Sequence, residues 1–345
     1  MKIKKAIRVT GKVILVIICT AIVFLTGLCV VHQSKLKKER AMIKHIAGQY
    51  AEVDGHNINV YTEGDGEKTL VFLAGFGTPS PVFDFKPLYS KLTSRYRIAV
   101  IEKFGYGYSD EYEGDRSLDT VVRQNREALK VSGIEGPYIL VPHSAGGIEA
   151  IWWADHYPEE VEAIIGLDSN VPEQYDVYRT PVDFDTAVPK DVDECIASMA
   201  GYDFLNYTIG LIRFMPMPPA ASSDALTSDE KEQYTALGYV MYCKGASATF
   251  QRETIMTDKA LKDMREYHDG PIPDVPTLFF VSDGSVMKQI MDPGDWVKIH
   301  ENYISRVNKG ELVCLDCGHY VHAEKSDEVA ASMISFIEGL SEETK

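Results

Sequence analysis

The sequence predicts an α/β fold: a mostly parallel central sheet with helices on both faces, a helical insertion and an N-terminal transmembrane helix. Three observations carry this. From about residue 50 to 170, and again from 271 to 345, apolar runs of strand length alternate with stretches of helical periodicity, the pattern of a parallel sheet covered on both faces. From 171 to 270 that alternation stops. Between Val13 and Val31, nineteen residues pass without a charge or a proline. The chain accordingly divides into a basic N-terminus, anchor and linker (1–45), a first part of the core (46–170), a helical lid-like insertion (171–270) and a second part of the core (271–345).

Composition sets the bounds. The 345 residues are 45% hydrophobic and 25% charged, values of an ordinary globular chain that exclude a disordered or fibrous one. The net charge of −16 argues against a nucleic-acid partner, which needs a basic surface. That charge is uneven: residues 1–45 hold ten Lys and Arg against Glu39 alone, so the remaining 300 residues carry −25.

The apolar run comes first. Nineteen residues at about 1.5 Å each reach roughly 28 Å, the thickness of bilayer hydrocarbon, and a backbone in lipid must be helical to satisfy its own polar groups. A cleaved signal peptide is the alternative. It is disfavoured because no small-residue cleavage pattern follows and the run exceeds the usual apolar core of about 7–15 residues. Five basic residues precede the run and five follow it. The positive-inside rule is therefore nearly balanced, and the short N-terminus places the body outside the cytoplasm. Cys195, Cys243, Cys314 and Cys317 are too sparse for a disulfide framework.

The core elements follow in order. Tyr50–Val53 and Ile58–Thr62 flank Asp54-Gly55, a hairpin signal. Thr69–Ala74 is a continuous apolar run, as in a strand buried on both faces. Phe83–Ser94 has helical spacing, Arg97–Ile101 is a strand, and Leu118–Val131 is a helix capped by Ser117. Tyr138–Val141 is a strand, Gly146–His156 a helix ending before Pro158, and Val161–Leu167 a strand. After the insertion, Thr277–Val281 and Leu312–Leu315 read as strands, Trp296–Val307 and Val321–Leu340 as helices.

The chemistry concentrates at strand ends. Pro142-His143-Ser144-Ala145-Gly146-Gly147 lies between a buried strand and a helix. A sharp turn there would expose the Ser144 hydroxyl over the carboxyl edge of the sheet. It would also leave the Ala145 N–H at a helix N-terminus, aimed at a developing oxyanion. A serine-capped helix with glycines for packing has the same sequence.

This stretch resembles the nucleophile elbow of the α/β-hydrolase superfamily, with Pro142 where the first glycine is usual. Two more segments match in order. Leu73-Ala74-Gly75-Phe76-Gly77 stands where the family carries its oxyanion turn, and the resemblance makes the Phe76 N–H the second oxyanion donor. Glu102–Asp110 matches a structural D-x-x-G-x-G-x-S loop, with Glu for Asp. The resemblance also assigns the base to His319, which follows the last strand, and leaves His322 a structural role. The orienting acid has two candidates: Asp168 at the end of one strand and Asp283 just after the next, with Asp168 favoured. A zinc site from Cys314, Cys317, His319 and His322 is disfavoured because the two cysteines would face opposite sides of a strand and the long loop between ligand pairs is missing.

The resemblance implies a serine hydrolase in which Ser144, His319 and Asp168 cleave a carboxylic ester without metal or organic cofactor. The substrate would be a small-molecule ester or amide, with a hydrophobic or lipid-like acyl group suggested by the anchor. Tyr202, Phe204, Phe214, Met215 and Met217 would either line an acyl pocket or pack the insertion itself. A proline-releasing aminopeptidase and a non-catalytic ligand receptor on the same fold are the alternatives.

Overall fold

The computed structural model describes residues 2–174, 204–243, 270–285 and 291–342, together with residues 249, 253, 260, 263, 264, 267, 268 and 288. The chain opens with α1 (Lys2–Met42), one unbroken helix longer at both ends than the nineteen-residue run requires. Its flanks, rich in Lys and Arg, are good helix formers and give the helix no reason to stop. Residues Val9–Met42 include a stretch long and apolar enough to cross a membrane by length and composition. The apolar part is exposed, whereas His32 and Leu36 further on are buried.

Asp54 and Gly55 take φ of 51° and 77°, the paired positive values of a two-residue hairpin turn, so Val53 faces His56 across β1 (Gln49–Val53) and β2 (His56–Glu63). Then come β3 (Thr69–Leu73), two one-turn helices α2 (Pro81–Asp84) and α3 (Lys86–Tyr89), β4 (Arg97–Glu102), α4 (Leu118–Val131), β5 (Tyr138–Pro142), α5 (Gly146–His156) and β6 (Val161–Leu167). The inserted segment contributes α6 (Ser228–Cys243). The remainder is β7 (Thr277–Val281), α7 (Pro293–Ile304), β8 (Gly310–Cys314), α8 (Val321–Glu324) and α9 (Ser326–Glu342).

Two expected helices are each divided. The stretch from Phe83 breaks because Pro87 has no N–H and its ring blocks the carbonyl one turn back. The final helix restarts at Ser326 after Lys325 leaves helical geometry (φ −127°, ψ 32°), and Asp327 and Glu328 favour a new N-terminus there. The helix expected from Trp296 starts earlier, with Pro293 in its first turn.

The strands form one eight-stranded sheet in the order β1-β2-β4-β3-β5-β6-β7-β8. β1, β2 and β4 pair antiparallel, and every pair from β4–β3 to β7–β8 is parallel. Alternate side chains leave β3 in opposite directions. Val71 and Leu73 join Val122, Ile151 and Trp296 on one face; Leu70 and Phe72 join Leu88, Val329 and Met333 on the other. Both faces of β3, β5 and β7 are therefore buried, as their unbroken apolar sequences require. The carboxyl ends of β3, β5, β6 and β8 converge on one edge, and the chemistry-bearing residues lie there.

Candidate active site

The turn from β5 into α5 is tight. Ser144 has φ 50°, a left-handed conformation that side-chain-bearing residues seldom adopt. Hydrogen bonds hold it there: Asn170 and Gly147 donate their N–H groups to the Ser144 carbonyl at 2.8 and 3.0 Å, and Gly146 donates to the His143 carbonyl at 2.9 Å. The small residues are needed sterically. A Cβ on Gly146 would lie 2.7 Å from the Leu73 carbonyl oxygen, and one on Gly147 would lie 2.3 Å from that of Asn170. Ser144 and Ala145 are left half-buried at the surface of the turn. Ala145 opens α5, whose first amides have no partner within the helix.

Gly75 brings the turn after β3 against this one, since a Cβ there would sit 2.7 Å from the Ser144 Cβ. Phe76 follows, 40% exposed. The turn rests on a buried charge cluster. The Gly77 N–H donates to the Tyr106 hydroxyl at 3.0 Å, and that hydroxyl donates to Glu253 at 2.8 Å. Lys103 bridges Glu253 at 2.8 Å and Glu149 at 2.7 Å. Burial would depress the Lys103 ammonium, but Glu149 and Glu253 outweigh it and raise its pKa above the usual lysine range. Glu102 is buried in the same loop, accepting from Ser80 Oγ at 2.6 Å, Tyr108 N–H at 2.8 Å and Asn59 Nδ2 at 3.0 Å. It clamps the β4 loop from a fully buried position.

Asp168 leaves β6 with φ 49° and is fully buried. Its Oδ2 lies 2.6 Å from His319 Nδ1 and accepts from Ser282 Oγ at 2.9 Å. Its Oδ1 accepts from the Ser282 N–H at 2.7 Å and from Trp296 Nε1 at 2.8 Å. Burial alone would raise this carboxyl. The hydrogen bond and charge of His319, with the Ser282 and Trp296 donors, more than offset it, so the pKa falls below the ordinary value. Asp283, the other candidate acid, is exposed and accepts from the Ser285 N–H at 2.8 Å. Ser282 and Trp296, which hold the carboxylate, have no sequence motif to mark them.

A second polar unit lies behind the serine. His322 Nε2 bonds Asp84 at 2.9 Å, and Asp84 also accepts from Tyr234 of α6 at 2.5 Å. His143 packs on both His319 and His322, with ring centroids 4.6 and 4.7 Å away, and its Nε2 lies 3.2 Å from the His319 carbonyl. Burial, with His319 and His322 beside it, pushes the His143 pKa well below the ordinary histidine value. Asp84, His143 and His322 are the buried group of metal-ligand types among the described residues, with ligand atoms within 4.8 Å of one another. The Asp84–His322 hydrogen bond and the Tyr234 hydroxyl account for the Asp84 contacts without an ion. His319 and His322 thus turn to different carboxylates. Cys314 is exposed and Cys317 half-buried, both as free thiols. Burial, and the nearby Glu324 carboxylate, raise the Cys317 thiol to about 11.

Of the residues singled out in the insertion, Tyr202 and Cys195 lie outside the described residues. Phe204, Phe214 and Met215 are on the surface and not in a core, and Met217 is half-buried against Gly238.

Comparison with known proteins adds a lineage. A family model for the alpha/beta hydrolase fold matches residues 68–326. The uncharacterized protein YbdG of Bacillus subtilis is 40% identical over 215 residues, 61% of this chain and 62% of its own length. The 2-(acetamidomethylene)succinate hydrolase of Mesorhizobium japonicum is 25% identical over 164 residues, 46% of this chain and 56% of its own. The matches thus span less than two thirds of these relatives. A solved structure of a haloalkane dehalogenase loop variant from Bradyrhizobium elkanii superposes with a TM-score of 0.60 at 14% identity, covering 86% of this chain and 97% of that one. That likeness concerns the fold.

Proposed function

The chain belongs to the alpha/beta hydrolase fold family, and we propose that it is a membrane-anchored serine hydrolase that cleaves carboxylic esters with a hydrophobic acyl group. The observation that carries this reading is the buried Asp168 carboxylate bonded at 2.6 Å to His319, at the same sheet edge as a serine held in a left-handed strand-to-helix turn.

In this reading the Ser144 hydroxyl attacks the ester carbonyl carbon. The hydroxyl proton passes to His319 Nε2, and Asp168 stabilises the resulting imidazolium through Nδ1–H. The carbonyl oxygen becomes an oxyanion and accepts from the Phe76 and Ala145 N–H groups. His319 returns the proton to the departing alcohol, leaving an acyl enzyme. Water then attacks the acyl carbon, its proton goes to His319, and the carboxylic acid leaves as Ser144 is reprotonated. These steps use only the chain's own groups and water.

The segment 171–270 would act as a lid, tied to the core through Tyr234–Asp84 and Glu253–Lys103. Residues 13–31 would hold the protein in the bilayer with the body outside the cytoplasm. The Mesorhizobium relative, a 2-(acetamidomethylene)succinate hydrolase, belongs to the same broad reaction class.

The test is labelling of the full chain, in detergent or vesicles, by a fluorophosphonate probe, together with turnover of p-nitrophenyl esters of rising acyl length. Residues 32–42 pack on the body, so the helix is kept. Labelling and turnover that vanish in Ser144→Ala are expected. A folded wild type that neither labels nor turns over ester would overturn the proposal. Turnover of proline arylamides alone would move the activity to the peptidase class.

A further inference from the structure

Four large apolar side chains of the inserted segment face solvent: Phe204 (55% exposed), Leu205 (44%), Phe214 (75%) and Met215 (55%). Scattered singly, such residues are unremarked on a protein surface. These four sit in two adjacent turns, Phe204–Thr208 and Leu211–Phe214 with the residue after it, and both turns lie against α1 and α6. Together they make a patch.

Its position is set by hydrogen bonds. The apolar run of α1 ends at Val31. One residue on, His32 Nε2 lies 2.9 Å from the Tyr207 carbonyl, and Gln33 Nε2 donates to the Thr208 carbonyl at 3.2 Å. Gly210 approaches His32 so closely that a Cβ would lie 2.4 Å from its ring. Arg213 then grips Glu39 with both terminal nitrogens, at 2.8 and 2.7 Å, and donates from Nε to His32 at 2.7 Å. At about 1.5 Å per residue, residues 32–39 cover roughly 12 Å beyond the end of the apolar run. A bilayer's polar zone begins where that run ends and is about 5–8 Å deep on each side. With α1 across a bilayer, the Phe204–Thr208 turn, held at residues 32 and 33, lies at the height of the lipid interface, and Arg213, bonded to both His32 and Glu39, ties the second turn across it. Near these turns a cleft of about 590 Å³ between α1 and α6 is lined by Lys35, Lys38, Arg213 and Lys231 together with Glu39 and Glu232. Exposed apolar side chains beside a helix long and apolar enough to span suit a surface that dips into acyl chains.

We infer that Phe204, Leu205, Phe214 and Met215 form a second membrane contact, inserted in the lipid interface beside the anchor helix. This rests on the proposal that α1 spans a bilayer. The occupant of the patch is lipid, because α1 delivers the patch to that height with no intervening linker.

The test uses the full chain in phosphatidylcholine–phosphatidylglycerol vesicles whose acyl chains are brominated near the headgroup. Three single variants are compared with wild type, which retains Trp152, Trp153 and Trp296: Phe214→Trp at the patch, Val23→Trp in the apolar run, and Val131→Trp at an exposed site (54%) at the end of α4. The added emission of Phe214→Trp should fall by about half or more relative to unbrominated vesicles, while that of Val131→Trp is unchanged. If Val23→Trp is quenched and Phe214→Trp is not, the span stands and the second contact is refuted. If Val23→Trp is not quenched in vesicle-bound protein, the spanning reading fails and takes the inference with it. Shielding of Phe214→Trp from iodide without quenching by brominated lipid would assign the patch to a second copy or another protein, which also refutes the lipid contact.

Discussion

Replacing Asp168 by Asn tests the proposed chemistry most directly, and the hydrogen bonds determine what should happen. Oδ1 accepts from two groups that can only donate, the Ser282 N–H and Trp296 Nε1. Oδ2 faces His319 Nδ1 and the Ser282 hydroxyl, both able to donate or accept. An asparagine therefore keeps its oxygen at the Oδ1 position. The reverse orientation would strand two buried donors, at about 1–3 kcal/mol each. The amide NH₂ then points at His319 Nδ1, which must accept, so the ring proton moves to Nε2. That tautomer cannot take a proton from Ser144. The loss in a Ser-His-Asp site with the wrong tautomer is about 10⁴-fold in kcat, about 5.4 kcal/mol of activation free energy. The shape is conserved, so thermal unfolding serves as the control for folding. The assay is p-nitrophenyl ester turnover alongside the fluorophosphonate labelling rate. Asp283→Asn, at an exposed side chain bonded to the Ser285 N–H, should stay within about twofold of wild type. A folded Asp168→Asn protein within tenfold of wild type would refute the assigned role.

Three further outcomes follow from the same contacts. Trp296→Phe removes one donor to a buried carboxylate and should destabilise the protein by about 1.5–3 kcal/mol in denaturant titration, with a smaller loss of turnover than Asp168→Asn; unchanged stability would contradict the contact. Gly147→Ala forces a methyl to 2.3 Å from a backbone carbonyl and should cost about 1–3 kcal/mol, whereas Gly133→Ala meets nothing within 4 Å but sits at φ 70° and should show only backbone strain. Equal Tm losses would show that the close approach at Gly147 is relieved freely. His143 and His300 are buried with pKa values pushed down, chiefly by burial, so the folded state prefers them neutral while the unfolded chain protonates them near 6.5. Their contribution to stability is complete above that value and declines as pH falls below it, by up to about 1.4 kcal/mol per pH unit for each group. Chemical denaturation at pH 7.5, 6.5 and 5.5 should show this fall, and a flat profile would contradict it.

Much of the sheet was legible because parallel strands buried on both faces write themselves as unbroken apolar runs, and Thr69–Leu73 and Thr277–Val281 are of that kind. The strand-to-helix turn at Ser144 was legible because close backbone approach demands the small residues that follow it. The choice between Asp168 and Asp283 was not, since both follow an apolar run; strand register places Asp168 beside His319 and leaves Asp283 in water. Ser282 and Trp296 are 114 and 128 residues from the carboxylate they hold, a separation at which local pattern carries no information. The surface placement of Phe214 and Met215 was hidden for a different reason: hydropathy reports that a side chain avoids water, and a lipid surface satisfies that as well as a core does.

The two ends of the His319–Asp168 contact lie 151 residues apart, whereas Ser144 and Asp168 belong to a single strand-helix-strand unit, β5-α5-β6, one after its first strand and the other after its last. During synthesis this unit can form early from neighbouring sequence. The imidazole arrives only on the loop after β8, once the whole insertion and two more strands have left the ribosome. Under the proposed chemistry, a chain inserting into a membrane would carry its serine and its carboxylate well before it carries a base, and would stay silent towards acyl groups around it until the final strand docks.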